Sequence, residues 1–115
     1  MSEADPKLQY HLSADASKYG IGGALFQLHG MPMGTEAGPQ HRTNERIIMF
    51  ISFHLADAET RYGTTDREAL AAVRCLAKVR WLVIGSPYPV KLYTDHQLLL
   101  SILSRGADAS SRIVQ

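Results

Sequence analysis

Only one cysteine, Cys75, occurs in the 115 residues. No disulfide can close within the chain, and no cysteine-rich zinc site can form. Long apolar runs are missing as well; none approaches the length of a membrane span. The first residues, Met1 to Asp5, are polar and acidic and lack the pattern of a secretory leader. An intracellular setting is therefore expected, with no membrane partner. Charge of one sign is also scarce, 12 basic residues against 11 acidic ones, net +1. A protein that holds nucleic acid by phosphate neutralisation alone is usually far more basic. Any work on nucleic acid would need metal ions to bridge the charge, or a neighbouring domain to supply affinity.

What is present suits one small domain with 45% apolar residues. We read it as residues 6–105, with tails at 1–5 and 106–115. Leu8 to Asp15 alternates apolar and polar residues, a strand with one apolar face. Tyr19-Gly20 marks a turn, and Gly22 to Leu28 reads as a second strand in an antiparallel hairpin. Gly20, Gly22 and Gly23 permit a tight turn or close backbone approach. His29 to Glu45, with three glycines and two prolines, is a long loop. Arg46 to Leu55 is a third strand. Thr65 to Ile84 is a helix, with Leu70, Val73, Ala77, Trp81 and Ile84 at three- and four-residue steps. Gly85, Ser86 and Pro87 end it. Pro89 to Asp95 is a fourth strand, and Gln97 to Leu103 reads as a short helix. The order predicts an α/β (α+β) mixed sheet: three antiparallel strands, plus a parallel strand reached by the helical crossover.

Three acids fall where chemistry is often housed. Asp15 ends the first strand, Asp95 ends the fourth, and Glu68 lies early in the long helix. Singly, each has an ordinary reading. Asp15 is a turn former, Asp95 a helix N-cap, and Glu68 the far member of a capping box opened by Thr65. If the first and fourth strands are parallel neighbours, Asp15 and Asp95 leave the same sheet end. Carboxylates gathered there would repel without a cation, and hard oxygen donors suit Mg²⁺ or Mn²⁺.

Four ordered stretches carry a resemblance. They are Ser13-Ala14-Asp15-Ala16-Ser17 running into Gly20-Ile21-Gly22-Gly23-Ala24-Leu25-Phe26-Gln27; Ile51-Ser52-Phe53-His54-Leu55 running into Ala58-Glu59-Thr60-Arg61-Tyr62; Thr64-Thr65-Asp66-Arg67-Glu68-Ala69-Leu70-Ala71; and Val90-Lys91-Leu92-Tyr93-Thr94-Asp95-His96 with Leu98 and Leu99. Together the sequence resembles the ribonuclease H domain of Ty3/gypsy-type retrotransposon polyproteins. The resemblance implies a ribonuclease H-like fold with a five-stranded mixed sheet, and endonucleolytic cleavage of the RNA strand of RNA–DNA hybrids. It implies two Mg²⁺ or Mn²⁺ ions on Asp15, Glu68 and Asp95, and reverse transcriptase and integrase domains in the same polyprotein. The setting would be the cytoplasm, in a virus-like particle, or the nucleus. Ser17, Gly22, Gly23, Thr94 and His96 are candidate substrate contacts.

In two respects the chain departs from that family. The family's last strand, helix and fourth acidic ligand lie beyond the point matching Gln115, with Asp108 a poor substitute. A sheet edge is then expected to be open to a second copy or a partner. The loop from His29 to Glu45 is also longer than the family's usual hairpin. The alternatives are a non-catalytic, domesticated module that binds protein or nucleic acid, or an unrelated small α/β binding domain whose acids are caps and turns. Trp81 is expected in the core, Cys75 as a buried small hydrophobe, and the strand aromatics as buried.

Overall fold

The computed structural model describes residues 3–94 and 97–102. In chain order come β1 (His11–Ala16), β2 (Gly20–Leu28), β3 (Glu45–His54), α1 (Thr64–Val83), β4 (Val90–Thr94) and β5 (Gln97–Ile102), with 3-10 turns at Pro39–Asn44 and Glu59–Arg61. The sheet order is β3-β2-β1-β4-β5. β1 pairs antiparallel with β2, and β2 with β3. β4 lies parallel to β1, joined by backbone partners from His11–Lys91 to Ser13–Tyr93. The α/β reading and the parallel fourth strand are therefore met.

One element differs. Gln97–Ile102 is a strand antiparallel to β4, where a short helix was expected. A brief apolar run such as Leu98-Leu99-Leu100 fits either state by pattern alone. Here the ladder along β4 pairs the backbone groups on one side of the segment. It also takes up the flank of β4 that the sequence reading left open, so β3 and β5 form the two edges.

The helix sits on the sheet by a different stripe from the one its large residues mark. Ala71, Ala72, Cys75, Leu76, Val79 and Val83 are buried against Leu12, Ala14, Leu25, Val90 and Leu92, while Trp81 is 68% exposed. Small side chains let the helix approach closely, and Gly23 completes the fit. A Cβ there would stand 2.6 Å from the Ser13 carbonyl oxygen and 2.8 Å from Cys75 Sγ. Helix and sheet meet through alanine, cysteine and glycine, so the tryptophan turns outward. Behind the helix entrance, Glu59 pairs with Arg74 and its other oxygen accepts from Ala56 N at 2.9 Å.

The opposite face was expected to be polar along β1, yet its near end is covered. His11 is 2% exposed, stacked on Phe26 with ring centres 5.2 Å apart and on Tyr93 at 5.8 Å. The loop after β2 folds back to make this cover. Its base closes through His29 N to Asn44 O and Asn44 Nδ2 to His29 O, both 2.9 Å. Gly30 and Gly34 turn it with φ of 77° and 94°, values that favour glycine. Gln9 Oε1 accepts from Gly34 N at 2.8 Å, and the Tyr93 hydroxyl accepts from Ala37 N at 2.9 Å. That hydroxyl also shares a hydrogen bond with His11 Nδ1, 2.9 Å away, whose direction follows the tautomer of the ring. Burial, helped by the Lys91 charge, lowers the His11 pKa to about 4.

Candidate active site

Along β1 the side chains alternate. Leu12 and Ala14 go under α1, so Ser13 and Asp15 belong to the other face. Beyond the cover of the loop this face is open. Asp15 is exposed, and its Oδ1 accepts from the Ala16 amide at 2.9 Å. Across the ladder its Cα partner is Gly22, where a Cβ would have nothing within 4 Å. The two adjacent glycines thus do different things. Gly23 lets the helix in, and Gly22 keeps the floor beside Asp15 low.

Two depressions meet at this floor. One, of about 510 Å³, runs from Asp15 and Gly22 past Phe50 to the loop at Gly38, Pro39 and Arg42, with Tyr93 and Phe26 at its base. The other, of about 390 Å³, runs the opposite way past Ser17, Tyr19, Ser52 and His54. Both are lined by Asp15 and Gly22.

The remaining candidates divide. Ser17 shares the second depression, but its groups already build the β1–β2 turn. Its amide donates to Gly20 O at 2.8 Å, and its Oγ accepts from Gly20 N at 3.1 Å. Thr94 closes β4, half-buried. Glu68 is half-buried and lies three and four residues before Ala71 and Ala72, on the sheet-facing side of α1. The helix opens two residues before the Thr65 cap that the sequence reading assigned. Gly63 is the N-cap, with no side-chain cap bond, and Arg67 N donates to its carbonyl at 3.0 Å. Asp95 and His96 lie outside the described residues. Among the described residues no three His, Cys, Asp or Glu side chains form a metal-holding group. Asp15, Gly22 and Ser17 are brought together; Glu68 lines neither depression.

Sequence reading missed Phe50, which is 67% exposed, and Tyr19, at 65%. The expectation that strand aromatics are buried is thus wrong for Phe50. Its alternation with Met49 and Ile51, both packed with the helix-side core, carried the clue. The near-continuous apolar run of β3 concealed it.

A fold with this strand order, and an acid at the end of its central strand, defines a ribonuclease H-like domain. Residues 5–115 match the RNase H-like domain found in reverse transcriptase, and the chain belongs to that family. It is 33% identical over 90 residues to the retrovirus-related Pol polyprotein from transposon opus of Drosophila melanogaster, covering 78% of this chain and 8% of that protein. It is 34% identical over 106 residues to the corresponding polyprotein from transposon gypsy of the same fly, covering 91% of this chain and 9% of that protein. The resemblance to Ty3/gypsy-type polyproteins is thereby met, and the chain spans under a tenth of the length of these relatives. No helix among the described residues is long and apolar enough to cross a membrane.

Proposed function

We propose that this chain is a divalent-metal-dependent ribonuclease H that cuts the RNA strand of RNA–DNA hybrids. It would act beside reverse transcriptase and integrase domains of one retrotransposon polyprotein. The observation that carries this reading is the Asp15 carboxylate, exposed on an open floor where two depressions join. Its oxygens are hard donors of the type Mg²⁺ and Mn²⁺ prefer, and its surroundings leave room for a substrate phosphate. Glu68 and Asp95 are the further carboxylates assigned to the ions. The parallel register of β1 and β4 is consistent with this: Asp15 lies two residues past Ser13, as Asp95 lies two past Tyr93, and Ser13 and Tyr93 are partners.

Bound there, the ions would activate the attacking water and neutralise charge on the leaving oxygen. The chain's own residues have simpler tasks. Asp15 brings negative charge to the floor, and one of its oxygens accepts a hydrogen bond from Ala16 N. Gly22 leaves clearance for a backbone to descend to that carboxylate. Recognition of the hybrid would follow groove shape and 2′-hydroxyls more than base sequence.

The test is cleavage of an end-labelled RNA–DNA hybrid in Mg²⁺ and in Mn²⁺ by wild type and Asp15→Asn. We expect metal-dependent cutting by the wild type and a loss of at least about a hundredfold in the variant, the scale of removing a key electrostatic group. Equal cutting by both proteins, or none by either in excess Mn²⁺, overturns the reading.

A further inference from the structure

The side of α1 turned away from the sheet carries a second apolar row. At about 100° per residue, Leu70, Val73, Ala77, Trp81 and Ile84 line up there, opposite Ala72, Cys75, Val79 and Val83. Ala77 and Trp81 are exposed, and Leu70, Val73 and Ile84 are half-buried. From Leu70 to Ile84 the row is about 21 Å long at helical rise. At its start, Tyr62 is 43% exposed and borders a depression of about 400 Å³ with Asp66, Ala69, Leu70 and Val73. The strands that α1 packs on, β1, β2 and β4, lie on its other side. A single exposed apolar residue is ordinary, but a row of them along one helix marks a docking surface.

The charges beside the row define what docks there. Arg67, Arg74 and Lys78 fall along one flank of it, and Arg80 along the other. Arg74 is paired with Glu59, while Lys78 and Arg80 are exposed. The one acid in line with the row is Asp66, at the depression. We infer that this surface receives an amphipathic helix of a partner protein, with its apolar side on Trp81 and its acidic residues over Lys78 and Arg80. An apolar side chain of that helix fills the depression beside Tyr62. A second copy of this chain is a poorer occupant. About an antiparallel two-fold axis, the flank of Arg67, Arg74 and Lys78 would meet its own copy; in a parallel pair it would meet Arg80. An anionic lipid surface would bring phosphates against Asp66. The inference does not depend on the hydrolytic role proposed for Asp15.

The single tryptophan of the chain, Trp81, is the reporter. A stapled helical peptide of about five turns, with leucines along one side and glutamates on both flanks, is titrated into the protein. A second peptide carries lysines in place of the glutamates. We expect the glutamate peptide to shift Trp81 emission to the blue, saturably, and to bind at least about tenfold more tightly than the lysine peptide. Variants are followed by anisotropy of fluorescein-labelled peptides, with folding checked by circular dichroism. Trp81→Ala should weaken binding of the glutamate peptide about thirtyfold, the scale of an interface anchor. The double variant Lys78→Glu, Arg80→Glu should reverse the preference between the two peptides. Phe50→Ala, which removes an exposed ring from the opposite face of the sheet, should bind as wild type does. No blue shift with the glutamate peptide, equal binding of the two peptides, or an equal loss in Phe50→Ala and Trp81→Ala overturns the inference. A dimer of the chain alone in sedimentation, with Trp81 emission already shifted, overturns it in favour of a second copy. A shift produced by phosphatidylserine vesicles and not by the glutamate peptide overturns it in favour of a lipid surface.

Discussion

The two faces of the sheet differ in what their close contacts achieve. Under α1 the contacts are small, dry and mutually fitted: Ala71, Ala72 and Cys75 against Leu12, Ala14 and the bare backbone of Gly23. On the other face close packing is confined to one end, where Phe26, Leu28 and Tyr93 form a second apolar cluster with Met31, Ala37 and Ile47, and the loop after β2 is tied to Gln9 and Tyr93. The rest of that face is left to solvent, and Asp15 lies there. Packing on one side thus leaves the other side open around Asp15. Adjacent strand residues, such as Gly22 and Gly23, end up with unrelated duties.

If that division is right, its largest mark should be on stability. Leu12→Ala, at a fully buried position, should cost about 2–5 kcal/mol in a denaturant titration, as core truncations do. A loss below about 1 kcal/mol would mean that the helix face is loosely packed.

The covered end of the open face should show itself through pH. His11 is neutral when folded, with a pKa lowered to about 4 by burial, against an ordinary 6.5. The unfolded chain therefore takes up a proton at a higher pH than the folded one. The stabilisation is fully present above 6.5, is lost as pH falls from 6.5 toward 4, and changes no further below. Over that window roughly 3 kcal/mol should disappear, at 1.36 kcal/mol per unit. Unfolding midpoints of wild type and His11→Phe at pH 7.5 and 4.5 check it, and the variant should lose much of the dependence.

The glycine pair gives a sharper contrast. Gly23→Ala forces a methyl against the Ser13 carbonyl and Cys75, and should cost about 1–3 kcal/mol. Gly22→Ala enters open space and should be neutral, or stabilise by up to about 1 kcal/mol. Similar losses from both would erase the distinction between the faces. The smallest effect is expected from Trp81→Ala. This exposed ring should change stability by no more than about 0.5 kcal/mol in thermal or chemical unfolding.

Period-two alternation made β1 legible and helical spacing made α1 legible, while β2 to β4 were marked by apolar runs between turn residues. Where two patterns competed, the reading went astray. Leu70, Val73, Ala77, Trp81 and Ile84 make a plausible helical stripe, but the buried one is Ala71, Ala72, Cys75, Leu76, Val79 and Val83, with Leu70 packed against it. Gln97–Ile102 is too short for periodicity to separate strand from helix, and pairing with β4 settles it. The burial of Gln9 and His11 depends on the Ala37–Tyr93 and Gly34–Gln9 bonds, which join residues far apart in the chain. No local pattern announces such bonds. Of the candidate site, Asp15 and Gly22 were legible as a strand end and its hairpin partner. Phe50 was not, since its exposure follows from the loop stopping short of it.

Divalent metal binding by Asp15 is the claim on which the functional account depends, and a direct titration tests it. Mn²⁺ is added to the wild type and to Asp15→Asn, with heat of binding and thermal midpoint recorded for each. The account predicts that the metal binds and raises the midpoint of the wild type. It predicts that the variant unfolds at the wild-type temperature without metal and gains nothing from its addition. Equal heats and equal midpoint shifts in the two proteins would contradict it.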